Sequence, residues 1–475
     1  MAEKRTTMRA GTWGFASVVV VLLIGVNAGR AESPGATGLG AGAAGGTSAQ
    51  VDTGSTAWML MSSALVFLMV PGLALFYGGM VRAKNALNML MCCFVSVGVI
   101  GLQWVIVGYC LAFSGVSALR TAGGWSFLGW DPSLLFLKAF GAADYGRFMA
   151  SGDTTGAVAT KVPELAFVMF QGKFAIITPA LIVGALAERI RFGPFVVFML
   201  LWSTLVYDPV AHWVWNTNGW LFRYGVLDFA GGTVVHLLSG VSALALCLIV
   251  GPRKGYRKEA MSPHSVLLTI VGAGLLWFGW FGFNAGSAIA VPAGELPVCG
   301  RVAALAFTNT QIAAAAAATA WMVVEWMVTG RPTVLGFASG MVAGLVVITP
   351  CAGHVVPWHS MIIGGLGGVA CFYGCRIKNL VKSFDDSLDT FGVHGVGGAL
   401  GALLVGIFAF QPVSGGMSQL VKQLVGIVCA GAYAFGGTLL IGWTIHKVIG
   451  LRVSEEVEDD GLDIRVHGER AYQLT

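Results

Sequence analysis

The sequence predicts an all-α polytopic membrane protein of about eleven transmembrane helices: two inverted five-helix repeats and a peripheral eleventh helix. Three observations carry this. Apolar residues make up 56% of the 475 residues and charged ones 11%, against roughly 25% charged in soluble domains. Many apolar runs reach about 20 residues, enough to cross a hydrocarbon core of about 30 Å. Two aspartate–glycine–histidine segments also recur five spans apart, an odd number that inverts topology.

In chain order, Lys4, Arg5 and Arg9 precede an apolar run from Trp13 to Val26, with small residues at Ala28 and Ala31. Residues 1–31 read as a signal peptide. Residues 32–54, rich in Gly, Ala and Ser, read as a flexible linker. The membrane domain is expected over 55–449, with spans at 55–80, 86–115, 164–189, 193–216, 229–251, 263–289, 302–328, 334–351, 359–380, 391–412 and 419–449. Residues 450–475 form a cytoplasmic tail.

Basic residues orient these spans. With the first end outside, the inner loops carry Arg82, Lys84, Arg189, Arg191, Arg253, Lys254, Arg257, Lys258, Arg331, Arg376, Lys378 and Lys382. The short outer loops carry only Arg223 and Arg301. An outside start is also what a cleaved signal peptide requires. The formal charge of +5 therefore reflects topology and implies no nucleic-acid partner. Nine cysteines include no CxxC pair, and Cys371 with Cys375 reads as helix packing rather than a metal pair. No cofactor or metal is expected.

The fifth span opens with Asp228-Phe229-Ala230-Gly231-Gly232 and reaches His236. The tenth opens after Asp389 with Phe391-Gly392-Val393 and reaches His394. Inverted repeats place a transport site between their halves. Gly364-xxx-Gly368 and Gly397-xxx-Gly401 would let helices approach closely. Ionisable groups inside a membrane are costly and need a reason. A lone buried histidine is most simply a hydrogen-bonded packing residue, but a symmetric pair at a repeat interface points to a shared pore. Neutral imidazoles donate, accept and pass protons near neutral pH, which suits a substrate that is both cation and base. Asp228 reads as a helix cap that also eases the approach of a cation. Phe170, Phe174, Tyr207, Trp213, Trp215, Trp280 and Phe283 would cluster at an outer vestibule, with Trp213 and Trp220 equally explained as an interfacial belt. A desolvated cation over an aromatic face gains roughly 2 kcal/mol.

The segments Phe76-Tyr77-Gly78-Gly79, Phe170 to Phe174, Ala187-Glu188-Arg189-Ile190-Arg191-Phe192, Asp228 to His236, Gly279 to Ser287 and Phe391 to Gly395 occur together. In that order the chain resembles the Amt/Mep/Rh ammonium transporter family, bacterial Amt type, over about residues 55–475. The resemblance implies transport of ammonium or methylammonium, with no enzymatic activity. Ammonium would be recruited at Trp215, Phe174 and Ser287 with the help of Asp228. A phenyl gate of Phe174 and Phe283 would lead to a hydrophobic pore bearing His236 and His394. There ammonium is deprotonated and conducted as ammonia, with or without its proton, past Trp280 and Thr310. Trp215 argues against the Rh branch. The resemblance also implies a homotrimer in the lipid bilayer of the cell inner membrane, serving nitrogen metabolism. A P-II-type signalling protein would bind its cytoplasmic face.

The tail carries Glu455, Glu456, Glu458, Asp459, Asp460 and Asp463, and its His467-Gly468-Glu469 and Ala471-Tyr472 resemble the family ending. By plain chemistry such an acidic end is solvated and mobile; by resemblance it is regulatory. Other readings are a receptor that senses ammonium through a partner, a membrane enzyme using the histidines, and a gas channel; measured uptake separates them. Lys173 departs from the small or neutral residue the family suggests. It sits about 60° from Phe170 and about 100° from Phe174 around the helix, so it flanks the pore face and need not point into it. The readings are a side chain that snorkels or pairs across a contact, or a fixed positive charge near the entry site.

Overall fold

The computed structural model describes residues 51–121, 124–141, 162–290, 298–410 and 414–472. The expected signal peptide and almost all of the linker lie outside these residues.

Eleven apolar helices follow one another: α1 Thr53–Met80, α2 Ala83–Phe113, α3 Glu164–Leu186, α4 Phe192–Trp215, α5 Gly232–Val250, α6 Val266–Gly286, α7 Gly300–Thr329, α8 Val334–Ile348, α9 Pro357–Asn379, α10 Phe391–Phe408 and α11 Met417–Val448. Among the described residues ten are long and apolar enough to cross a membrane, and α8 is shorter, at 15 residues. Asp52, at the end of the expected linker, instead caps α1, accepting from the Ser55 amide at 2.9 Å. With α8 counted beside the ten, α1 begins on one face (the start face) and α11 ends on the other (the tail face). On the start face, between α2 and α3, β1 Ser117–Arg120 pairs antiparallel with β2 Ser126–Gly129.

Of the ten long helices α3, α4 and α5 are the most enclosed, while α7 and α11 leave broad apolar faces uncovered. α1, the first helix of one repeat, packs along α6, the first of the other. The last helices of each repeat, α5 and α10, cross at glycine. A Cβ on Gly240 would land on the backbone of Gly395, and one on Gly398 would meet the Gly232 carbonyl at 2.6 Å. Gly364 and Gly368 press α9 onto the backbone of Ala313 and Ala317 in α7. Small residues thus replace the hydrophobic effect, which is absent between helices in lipid, by close backbone contact.

The C-terminal segment is docked, not a free end. The Arg191 amide donates to Leu451 O at 2.7 Å and the Val453 amide to Arg189 O at 3.0 Å. A short helix, α12 (Glu455–Asp460), follows. Glu458 accepts from the Lys254 amide at 2.9 Å and pairs with Arg452 at 2.6 Å. Asp463 then caps α2 from outside, accepting from the Leu87 and Asn88 amides at 3.0 and 2.8 Å. Acidic residues that read as solvated find partners here because the basic loops of the tail face converge on them, and Leu451 and Leu462 are fully buried beneath.

Beside this segment lies a buried ionic cluster. Glu188 meets Arg82 at 2.8 Å and Arg253 at 3.2 Å, and Asp385 meets Arg253 at 2.9 Å. Arg189, with no exposure, donates to Gly251 O at 2.7 Å, Asp385 O at 2.6 Å and the Ser387 hydroxyl at 2.6 Å. One guanidinium therefore ties together the ends of α3, α5 and the segment leading to α10.

Candidate conduction site

α5 begins three residues later than the sequence suggested, at Gly232, because Asp228–Gly231 forms the turn that caps it. Gly231 takes φ +111°, a conformation glycine allows. The Asp228 carboxylate then accepts four amides: Gly231 and Gly232 at 3.0 and 2.6 Å on Oδ1, Thr233 and Val234 at 3.0 Å each on Oδ2. Four donors converge because the first turn is a wide π turn, Gly232–Leu237.

α10 repeats this device with a correction to the sequence reading. Asp386, not Asp389, is the counterpart of Asp228. It accepts the Thr390, Phe391 and Gly392 amides at 2.9, 2.8 and 3.4 Å, again before a π turn, Phe391–Gly395. Asp389 adopts φ +60° and faces Lys378 at 2.6 Å. The signal was present in the spacing: His236 and His394 each lie eight residues after their caps.

Because α5 and α10 touch at Gly240 and Gly395, the two histidines meet. Their Nδ1 atoms are 3.2 Å apart and their rings 5.2 Å apart and tilted by only 22°. Both border a narrow apolar cavity lined by Met69 and Phe76 of α1, Ile177 and Leu181 of α3, Leu276 of α6 and Val342 of α8. Phe283 also lines this cavity, and Phe174 packs against it with ring centroids 4.3 Å apart, both rings buried. Trp215 meets Phe174 edge-on at 5.8 Å, and its indole donates to Asp228 O at 2.9 Å. Ser287, one turn beyond Phe283, donates back to the Phe283 carbonyl at 2.9 Å.

Trp280 stacks on His236 at 5.2 Å and 19°, and borders the cavity. Its indole donates to the Thr349 hydroxyl at 2.9 Å, a partner that sequence reasoning missed because it comes from the other end of α8. Thr310, expected to line the pore, is not among the cavity residues. It accepts from Asn284 at 2.9 Å and donates to Ala306 O at 2.6 Å, a bridge from α6 to α7. Trp213 also stands apart, its indole donating to Phe127 O at 2.8 Å and its ring against Tyr433 of α11 at 4.7 Å. Lys173 lies off the cavity, its Nζ 5.7 Å over the ring of Phe67 in α1. Among the described residues no group of three or more His, Cys, Asp and Glu could hold a metal.

These features define a polytopic membrane protein with a narrow apolar cavity bordered by a histidine pair. The chain belongs to the ammonium transporter family: residues 57–472 match the Ammonium Transporter Family. It is 44% identical to the ammonium transporter of Bacillus subtilis over 88% of this chain and 98% of that protein. Identity to the ammonium transporter Amt1 of Archaeoglobus fulgidus is 41%, over 88% and 99%. Among solved structures it is similar to Saccharomyces cerevisiae Mep2, with TM-score 0.74 and 36% identity over 86% of this chain and 91% of that one. It is also similar to a Sensor Amt Protein, with TM-score 0.76 and 30% identity over 87% and 98%.

Proposed function

We propose that this protein transports ammonium by recruiting it at the Trp215–Phe174 aromatic site, deprotonating it, and conducting ammonia past the Phe174–Phe283 gate along His236 and His394. The proton is returned to water on the start face or passed along the histidine pair. The observation that carries this reading is the histidine pair inside an otherwise apolar passage. Aromatic faces favour a cation that has shed water, by roughly 2 kcal/mol, while the apolar walls disfavour the ion. The ion is therefore held outside, and the neutral base passes.

The 3.2 Å Nδ1–Nδ1 contact needs one donor and one acceptor, so the two rings take opposite tautomers. One then offers Nε2–H and the other a bare Nε2, a donor and an acceptor for a molecule that is itself both. The roles reverse only when the shared Nδ1 proton crosses while the bare Nε2 gains a proton and the other Nε2 gives one up. Two imidazolium rings 5.2 Å apart would repel by about 3 kcal/mol at an effective dielectric of 20, so the pair holds at most one extra proton. Asp228 acts through position: its four amide bonds hold the first turn of α5, and its charge faces the start of the passage.

The start face is read as the outer one, with a cleaved signal peptide, a cytoplasmic tail and residence in the cell inner membrane. Homotrimer formation would cover part of the apolar helix faces, lipid the rest. The docked acidic segment on the tail face supports a regulatory contact with a P-II-type protein. Methylammonium uptake into proteoliposomes, with simultaneous current recording, tests the scheme. His236→Ala and His394→Ala should strongly impair uptake or admit other cations while the protein stays folded. Unchanged uptake and unchanged cation selectivity in both would refute the pore reading.

A further inference from the structure

A polar contact between α2 and α4 has no part in this scheme. Asp208 of α4 has no exposure and Gln103 of α2 is 3% exposed; neither lines the cavity. Gln103 Nε2 donates to Asp208 Oδ2 at 2.7 Å and to the Thr204 hydroxyl at 3.2 Å. Both helices widen into π turns beside the contact, at Trp104–Gly108 and Ser203–Tyr207. Such bulges are rare and concentrate at functional positions.

The hydrogen-bond accounting leaves a gap. Asp208 Oδ1 and Gln103 Oε1 are both buried and without a partner among the described residues. Both are acceptors, so what the contact lacks is a donor. No compensating cation faces it among those residues. Gln103 and Cys110 approach from α2. On its own helix stand Thr204, Tyr207 and His212. His212 meets Ala112 O at 3.0 Å through Nδ1 and the Ser126 hydroxyl at 2.6 Å through Nε2, partners that a neutral ring satisfies. A carboxylate anion held in a membrane interior by a single neutral amide would bear nearly its whole desolvation cost. One proton on Oδ1 removes that charge and supplies the missing donor.

We propose that Asp208 is a proton-binding site inside the membrane domain: its Oδ1 carries a proton at neutral pH and donates to Gln103 Oε1. The result is a reciprocal carboxylic acid–amide pair that joins α2 to α4, separate from the histidine path. Asp208→Asn would form the same two-way pair with an amide in place of the acid, so it preserves the contact while removing the proton.

Infrared spectroscopy of the full-length protein in liposomes at neutral pH tests this. The expected result is a carbonyl stretch of a protonated carboxylic acid that moves down in heavy water and is lost in Asp208→Asn. In Gln103→Leu the band should move up, because the acid loses its acceptor. Asp208→Asn should melt no lower than the parent, whereas Gln103→Leu should melt lower. Loss of an ionised-carboxylate band in Asp208→Asn, with no protonated-acid band lost, would overturn the proposal. If Asp208→Asn fails to fold, the Gln103→Leu shift decides: an unmoved acid band refutes the pair.

Discussion

Asp228→Asn is a change of one atom type with a large expected effect. Both carboxylate oxygens of Asp228 are used, each by two amides within 3.0 Å. An asparagine keeps one acceptor oxygen for two of those amides and turns its NH2 towards the other two, which are donors. Two buried amides are then stranded, at about 1–3 kcal/mol each, so the first turn of α5 loses roughly 2–6 kcal/mol. His236 hangs on that turn, and its amide donates to Gly231 O at 3.0 Å, so the loss should displace the ring from its 3.2 Å contact with His394. The expected outcome is a lower melting point in detergent and a severe loss of methylammonium uptake in proteoliposomes. Asp228→Glu, which keeps both acceptors on a longer stem, should fall between the two. An Asp228→Asn protein with parental melting and uptake would show that the four amide bonds do not hold the site.

Lys173→Ser should leave expression intact and change apparent ammonium affinity less than fivefold, because Nζ lies over Phe67 rather than in the passage; a gain much above tenfold in an uptake titration would mean the charge reaches the vestibule. Deleting the chain after Gly450 removes the Asp463 cap from α2, the Glu458 carbonyl that accepts from Lys84 and the Asp459 carboxylate that pairs with Lys254. It should leave a membrane-inserted protein with altered uptake or lost P-II binding, and equal pull-down before and after truncation would contradict this. The tail-face cluster should be acid-sensitive. Burial alone would raise the carboxyls of Glu188 and Asp385, but Arg82 and Arg253 around Glu188, and Arg253 with Arg189 around Asp385, hold both below their ordinary values. A depressed carboxyl stabilises the fold above the ordinary carboxylate range and loses that contribution as pH falls through its own lower value. Melting points should therefore drop in strong acid, and less so in Glu188→Gln, which lacks one of the two groups; equal acid sensitivity would refute the assignment.

Much of the architecture was legible because the bilayer acts on each segment separately. An apolar run of about 20 residues is sufficient evidence of a span, and the boundaries of α1, α9 and α11 fall within a few residues of those read from the sequence. The histidines were legible because ionisable groups in such runs stand out. Reading Asp389 as the aspartate of the tenth segment weighs proximity in sequence above the eight-residue spacing that links Asp386 to His394 as Asp228 is linked to His236. Thr310 illustrates a different limit: a hydroxyl on an apolar helix does not reveal its partner, and only the packing of α6 against α7 shows that it accepts from Asn284.

By itself the sequence determined the number of spans, their alternation, the aspartate caps' residue type and the two imidazoles, all consequences of local composition and the lipid solvent. Only the tertiary structure decided which residues meet. His236 and His394, 158 residues apart, touch because glycines let two backbones come into contact. Thr349 reaches Trp280, Gln103 reaches Asp208, and the acidic tail finds its basic loops through the packing of distant helices. Hydrogen bonds and ring contacts act over a few ångströms and are blind to chain separation, so their pairings exist only once the helices are placed.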